Sequence, residues 1–441
     1  MKGYSYFLNR RNSADGFKES INGSIFVDKS LLIDFVNEKL STKEKWICVS
    51  RPRRFGKTMA LEMLAAYYTR GIHTDDLFCS LEIKHTLNYH KHLNAHNTVC
   101  INFNDYFENN GTIHEGIERL SGYLLQDLRN TFPNVCPEHA DLPLAFDMVQ
   151  QATGEKFIFL IDEWDCVFRL KKGRKQEQEE FLSFLRMLFK DKTYVELVYM
   201  TGILPIKKYN TGSALNMFRE YTILEPKKLG PFFGFTVEET KKLCAQFRTL
   251  RLEEVREWYD GYYLAGTGFI LNPRSVVEAL EEGVCRDYWN KTGGYSELEE
   301  YITMDFDGLG STVAELLAGE QAPISVLGFS NDLDSFQNKD EVLTALIHMG
   351  YLTYENGSVR IPNREIREEF ADTVKKLSWQ DGAGFAAFGV KYSSLTDDVE
   401  MKLDEADRLA ESAEKRLHHE AVFRNIRSGI HGSKTVPLWG K

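Results

Sequence analysis

The sequence predicts an α/β fold: a doubly wound parallel sheet, followed by a mostly helical region with a winged-helix-like unit and a C-terminal amphipathic helix. Three observations predict it. Four apolar runs read as buried strands: Trp46-Ile47-Cys48-Val49, Thr98-Val99-Cys100-Ile101-Asn102-Phe103, Phe157-Ile158-Phe159-Leu160-Ile161 and Val195-Glu196-Leu197-Val198-Tyr199-Met200. Each is separated from the next by enough helical pattern for a crossover, and near-continuous apolar strands alternating with helices indicate a parallel sheet covered on both faces. The third observation is Gly56-Lys57-Thr58, set between the first strand and the helical pattern Met59, Leu61, Met63, Leu64.

Before the first strand, Ile25-Phe26-Val27 is followed by Leu31, Leu32, Phe35, Val36 and Leu40 at helical spacing, with Asp28 or Ser30 available as the cap. Beyond about residue 230 helical stretches are interrupted by aromatic and glycine clusters, notably Trp258-Tyr259-Asp260-Gly261-Tyr262-Tyr263, which read as core packing, with a binding face as the alternative. Val342, Leu343, Leu346 and Ile347 then form a helical face ahead of Gly350. Two short runs follow, Tyr351-Leu352-Thr353-Tyr354 and Val359-Arg360-Ile361, joined by Asn356-Gly357, so a helix plus hairpin of winged-helix type is expected. Leu395, Val399, Leu403, Ala406, Ala410, Ala413 and Leu417 fall at steps of three and four among charges, predicting one long amphipathic helix and a polar tail. The predicted division is 1–230, 231–335, 336–375 and 376–441.

At 441 residues the chain has room for two or three domains. Lys and Arg total 54 against 65 for Asp and Glu, a net charge of -11, so no global basic field marks a nucleic-acid partner and only a local patch could serve one. No apolar run is long enough to span a bilayer, and Met1 to Asn12 lacks the apolar core of a signal peptide, so no membrane partner and a cytoplasmic address are expected. The cysteines at 48, 79, 100, 136, 166, 244 and 285 form no C-x-x-C pair; they read as reduced core residues rather than a disulfide framework or a zinc site.

The chemistry begins at Arg51-Pro52-Arg53-Arg54-Phe55-Gly56-Lys57-Thr58. A strand end and a helix N-terminus aim backbone N–H groups at one point, which suits a phosphate, so the whole stretch is the candidate nucleotide-binding loop. Lys57 would reach the β- and γ-phosphates of ATP, and the Thr58 hydroxyl would hold Mg²⁺. Arg51 stands where G-x-x-x-x-G-K-[ST] has its first glycine, which puts the entry turn in question because arginine resists backbone angles that glycine accepts.

The second half of the site is the apolar strand ending in Asp162-Glu163. Charges at the carboxyl edge of a sheet are well placed to meet a cation or polarise water. Asp162 is read as the Mg²⁺ partner and Glu163 as the carboxylate that orients and deprotonates the attacking water. Side chains alternate along a strand, so the two are expected to point different ways. Thr201, at the end of the fourth strand, is a candidate sensor of the γ-phosphate or the water, the alternative being a residue that merely starts a loop. Arg53 and Arg54 could contact the γ-phosphate as an arginine finger in cis; salt bridges to acidic neighbours are the alternative. Asp165 reads as a surface acid rather than a partner of Arg54 or of a metal-bound water. His418-His419-Glu420 lie on different faces of a helix and predict no metal site.

Taken together, Phe26-Val27-Asp28-Lys29-Ser30, Ser50-Arg51-Pro52-Arg53-Arg54-Phe55-Gly56-Lys57-Thr58, Ile161-Asp162-Glu163-Trp164-Asp165 and Thr201-Gly202-Ile203 resemble the AAA-ATPase-like family of microbial P-loop proteins. That family's loop reads R-P-R-R-F-G-K-[ST], so Arg51 matches its pattern. Trp258 to Tyr262, Asn272-Pro273-Arg274-Ser275, Tyr288-Trp289, Thr292-Gly293, Gly350 to Thr353, Ile361-Pro362-Asn363 and Glu365 are similar to its later landmarks, so the resemblance covers about residues 5 to 370. It implies an ATPase module of AAA/STAND-like kind, usually followed by a PD-(D/E)XK nuclease-like domain. The one E-x-K triplet after residue 370 is Glu400-Met401-Lys402, within the charged helix, and the early Glu82-Ile83-Lys84 lies within the ATPase part, so the nuclease domain is expected to be missing. The leading expectation is an Mg²⁺-dependent ATPase that couples hydrolysis to conformational change. The alternative is a nucleotide-gated module with negligible turnover that binds protein or DNA. A protein partner or homo-oligomer stays open, and DNA is unsupported by the net charge.

Overall fold

The computed structural model describes residues 5–107, 111–136, 139–169, 175–206, 215–289, 295–304, 306, 308–329, 333 and 335–380. Five parallel strands form the main sheet: β1 (Trp46–Ser50), β2 (Asn97–Asn102), β3 (Phe157–Asp162), β4 (Val195–Gly202) and β5 (Arg219–Tyr221), in the order β2-β3-β4-β1-β5. The first four are the apolar runs of the sequence. The three-residue β5 was not anticipated, because Arg219-Glu220-Tyr221 carries no apolar run and sits at a sheet edge.

Alternation along the strands explains why they read as continuous runs. Phe157, Phe159 and Ile161 face one core, with Leu120, Leu124, Leu128, Phe146, Phe181 and Leu185 from the helices Ile113–Thr131, Leu142–Thr153 and Lys175–Phe189. Ile158 and Leu160 face the other core, with Leu64, Tyr67, Tyr68, Leu32 and Val36 from the helices Lys57–Tyr68 and Leu31–Asn37. Both faces of β3 are therefore covered, and all six of its residues are buried.

The expected cap of Leu31–Asn37 is different in detail. Ser30 occupies the cap position without a side-chain cap bond. Its hydroxyl accepts from Ile83 N at 3.1 Å, while Asp28 accepts from Ser30 N at 2.7 Å and from Glu82 N at 2.8 Å. These two side chains fasten the segment after Phe26-Val27 to a neighbouring turn rather than starting a helix.

The region after residue 230 is mostly helical, with Val237–Phe247, Leu252–Tyr259, Pro273–Glu282 and Leu309–Leu317. It also holds a small antiparallel sheet that the sequence did not announce, β6 (Phe235–Thr236), β7 (Tyr262–Leu264) and β8 (Gly268–Leu271), in the order β6-β8-β7. Tyr259 and Tyr262 are fully buried, as the core-packing reading of the aromatic cluster expected. Further on, β9 (Ala322–Pro323) pairs with the hairpin of β10 (Thr353–Glu355) and β11 (Ser358–Arg360) that follows the helix Lys339–Met349. Asn356 and Gly357 adopt φ 50 and 88 at the hairpin turn, the left-handed pair that a two-residue turn demands.

Residues 1–373 form one compact unit, and 374–441 form a second, of which residues 374–380 are described. The predicted C-terminal helix from Leu395, the polar tail, Glu400-Met401-Lys402 and His418-His419-Glu420 lie outside the described residues. All seven cysteines are free, but Cys79 is exposed, which corrects its reading as a core residue.

Candidate functional site

The sheet order builds the site. Because β4 lies between β1 and β3, the loop after β1 and the carboxylates at the end of β3 are bridged by the end of β4, where Thr201 sits. The Thr201 hydroxyl is fully buried and donates to Asp162 Oδ1. Asp162 Oδ2 accepts from the Thr58 hydroxyl at 2.7 Å, and Oδ1 also accepts from Glu163 N at 3.0 Å. Loop, β3 and β4 thus converge on one carboxylate. Two neutral hydroxyls around a carboxylate make a hard oxygen donor set of the kind Mg²⁺ takes.

The Arg51–Thr58 loop holds its shape through its own side chains. The ladder continues past β1, with Arg51 N donating to Gly202 O at 3.1 Å, and Arg51 is not among the residues with positive φ. The entry turn therefore needs no glycine. The left-handed positions are Arg54, φ 68, and Gly56, φ 86, the latter capping the helix Lys57–Tyr68. The Arg51 guanidinium turns away from the loop concavity into the core. There it donates to Ser50 O and Tyr221 O at 2.8 Å, lies 5.2 Å from the Phe233 ring, and has its pKa lowered to about 9 by burial. What Arg51 presents at the site is its carbonyl.

Lys57 is 5% exposed. Its ammonium donates to the carbonyls of Arg51 at 3.1 Å and Pro52 at 3.0 Å. Burial lowers its pKa, opposed by the more distant Glu163, Asp162 and Asp165. A buried cation satisfied by neutral carbonyls, at the start of a 12-residue helix that no acidic side chain caps, is a place where an anion gains both charge pairing and backbone donors.

Arg54 faces the later part of the unit. Its Nη1 donates to Tyr288 O at 2.6 Å, its guanidinium lies 5.6 Å from the Trp289 ring, and burial lowers its pKa. Phe55 is fully buried and packs edge-on against Tyr262, ring centroids 4.9 Å apart. Pro52 touches Gly350 so closely that a Cβ there would sit 2.7 Å from Pro52 Cβ. Glu365 completes the arrangement, accepting from Tyr288 N at 2.9 Å, Trp289 N at 3.1 Å and the Ser275 hydroxyl at 2.9 Å. Of the later landmarks of the sequence, Tyr262, Tyr288, Trp289 and Gly350 thus meet the Arg51–Thr58 loop, while Thr292-Gly293 lie outside the described residues.

The chain leaves β3 at Asp162, and Glu163 takes φ 53, so strand alternation does not extend through Glu163. What separates the two carboxylates is that turn. Glu163 Oε2 accepts from Arg169, and burial first of all raises the Glu163 pKa, with Lys57 opposing. Asp165 is fully buried, which corrects its reading as a surface acid. Its Oδ2 accepts from Ile203 N at 2.9 Å and Leu204 N at 2.8 Å and lies 3.3 Å from Arg169 Nε. Burial works against the charge of Arg169, but Asp165 and Glu163 more than offset this and hold its pKa above the usual value. Arg169 is the site residue that sequence reasoning missed. The available signal was its four-residue spacing from Asp165 on the helix Cys166–Arg169.

A cleft opens from this centre. Arg53, Arg54, Gly56, Lys57, Thr58 and Glu163 line it together with apolar side chains that include Phe17, Ile25, Phe26, Val27, Phe55, Met63, Phe232, Pro273 and Val277. Lys29 and Arg274 also face it. Lys29 is tied to Glu239 at 2.6 Å and to Pro231 O at 2.7 Å, so the Phe26–Ser30 segment is fixed to the later half as well. Glu82 and Lys84 lie exposed on a separate 3-10 turn, Glu82–His85.

A buried strand, a loop closing on a lysine and a helix that begins at that lysine define a P-loop nucleotide-binding protein. Residues 14–211 match the profile of the AAA-ATPase-like family, described as "Predicted AAA-ATPase". A protein encoded in the vnfD 5′ region of Azotobacter chroococcum is 24% identical over 266 residues, covering 58% of this chain and 49% of that one, so the chain spans about half the length of the curated relative it matches. Among solved structures, a Walker-type ATPase of Pyrococcus abyssi is similar with a TM-score of 0.39 and 14% identity, covering 78% of this chain and 94% of that one. The ORC2 protein of Aeropyrum pernix follows at 0.33 and 9%, with 85% and 100% covered, and AMPPCP-bound DnaA of Aquifex aeolicus at 0.30 and 11%, with 87% and 98% covered. At scores this low the structural likenesses carry no argument about function. Among the described residues no helix is long and apolar enough to cross a membrane.

Proposed function

We propose that the chain is an Mg²⁺-dependent ATPase of AAA/STAND-like kind, acting in the cytoplasm, whose hydrolysis is coupled to movement of the parts after residue 230. The observation that carries the reading is Lys57: a buried ammonium with neutral partners, beside Thr58 and Asp162 and at the mouth of a half-apolar cleft. The triphosphate lies along Arg53 to Thr58, with Lys57 leaving the carbonyls of Arg51 and Pro52 for the β- and γ-phosphates. The base lodges between Phe26-Val27 and Pro273-Val277, where apolar walls favour a flat heteroaromatic ring. Thr58 and Asp162 would hold Mg²⁺, which when bound offsets the negative charge of the phosphates. Glu163 takes the proton of the attacking water, and Thr201 keeps Asp162 in place from β4.

Coupling is assigned to three contacts of the loop: Arg54 with Tyr288, Phe55 with Tyr262, and Pro52 with Gly350. A change in loop conformation on nucleotide turnover is felt directly by the helical region 231–335 and by the unit at 336–375, which we read as winged-helix-like. A protein partner, a second copy or DNA is what those parts would act on. The test is steady-state phosphate release measured beside nucleotide occupancy, with Mg²⁺ and with EDTA. Mg²⁺-dependent release supports the ATPase; occupancy without release points to the nucleotide-gated module instead.

A further inference from the structure

We propose that Arg169 is a positioning residue for hydrolysis, fixing the Glu163 carboxylate so that one oxygen stays turned toward the nucleotide cleft. The inference rests on the reading of Glu163 as the general base.

A glutamate side chain has three rotatable bonds, and a base must sit within hydrogen-bond reach of the proton it takes. Glu163 stands just past the end of β3, in a left-handed backbone conformation, so the strand itself no longer orients it. Arg169 does. Its Nη2 donates to Glu163 Oε2, whereas Oε1 has no hydrogen-bond partner among the described residues. The guanidinium is in turn immobilised: its side chain is 9% exposed, and its Nε lies 3.3 Å from Asp165 Oδ2. Asp165 is fully buried and anchored by the backbone N–H groups of Ile203 and Leu204, just after β4. A series of fixed contacts thus runs from the end of β4 through Asp165 and Arg169 to one oxygen of Glu163. Only a planar, permanently charged fork holds two carboxylates in this way; a lysine keeps the charge but loses the geometry. Groups held to within a fraction of an ångström of a productive geometry gain large rate factors over loosely held ones.

The competing role is purely structural, with Arg169 serving only to neutralise buried Asp165. A double-mutant cycle separates the two. Arg169→Lys, Glu163→Gln and the double variant are compared for kcat, ATP affinity and thermal unfolding, with Arg169→Gln as a second replacement. Arg169→Lys should lower kcat by about 10- to 100-fold while ATP affinity stays within about twofold, and it should cause no further loss in the Glu163→Gln background, because residues acting as a unit are not additive. The inference is overturned by a near-parental kcat in Arg169→Lys, by an equal loss in both backgrounds, or by unfolding or lost ATP affinity in both replacements. A parental chain that binds ATP but releases no phosphate would sink the hydrolytic reading together with this one. Parental turnover with unaffected Arg169 variants sinks this one alone.

Discussion

Thr58, in the first turn of the loop's helix, donates its hydroxyl to Asp162 at the end of β3 over 2.7 Å, joining residues 104 apart in the sequence. Thr201 reaches the other oxygen of the same carboxylate from β4, so Asp162 is the point where three segments of the sheet edge meet. That convergence governs what substitutions here should do.

Asp162→Asn keeps the shape but not the charge. An amide offers one acceptor oxygen where the carboxylate serves two hydroxyls and a backbone N–H, so both stability and the oxygen donor set suffer. The expected outcome is loss of the Mg²⁺ dependence of nucleotide affinity together with loss of turnover. Nucleotide titration with and without Mg²⁺ checks it.

Lys57→Ala removes the buried ammonium. A charge-assisted contact is worth roughly 1.5 to 3 kcal/mol, so ATP affinity should drop by about 10- to 150-fold. Fluorescent-nucleotide titration reads this directly. Affinity within about twofold of the parent would sink the loop assignment.

Gly350→Ala tests the clamp on the loop. Gly350 has φ 92, and a Cβ there would meet Pro52 Cβ at 2.7 Å. The backbone penalty of about 1 to 2 kcal/mol should appear as a lower melting temperature, with weaker ATP binding in addition as Pro52 is displaced. Gly357→Ala is the control: φ 88 but nothing within 4 Å, so it should lower stability and leave ATP affinity unchanged.

Glu365 gives a pH signature. Burial, first of all, pushes its carboxyl up to about 7 from the ordinary 4.5, opposed by its bonds from Tyr288 N and Ser275, while Asp287 raises it and Arg54 lowers it. The folded state therefore holds this proton more tightly than the unfolded one. The associated stability is fully present below about 4.5 and is lost as pH rises through about 7. Urea unfolding at several pH values should show a decline over that window in the parent and a flatter profile in Glu365→Gln.

The legible parts of the fold are those where local pattern and tertiary role agree. The four apolar strands, the loop before Lys57 and the Asn356-Gly357 turn announce themselves because burial on both faces, a glycine-capped helix start and a left-handed turn each need particular residues. β5 and the small sheet β6-β8-β7 were invisible because strands of two to four residues carry too little pattern, and their pairing comes from distant chain. At the site, the sequence placed Lys57, Thr58, Asp162 and Glu163 together from their positions at strand ends. It could not tell that Arg51 points into the core, that Arg54 answers to Tyr288, or that Asp165 is buried. Charge alone does not reveal which side of a turn a residue faces.

The most direct test of the account is Glu163→Gln, measured for nucleotide affinity and phosphate release on the same preparation. The substitution keeps the volume of the side chain and removes the proposed base, and the Glu163 side chain bonds to Arg169 rather than to Thr58 or Asp162, the pair proposed to hold Mg²⁺. ATP affinity should stay close to the parent and turnover should fall by roughly 10² to 10⁴. Phosphate release at the parental rate would contradict it.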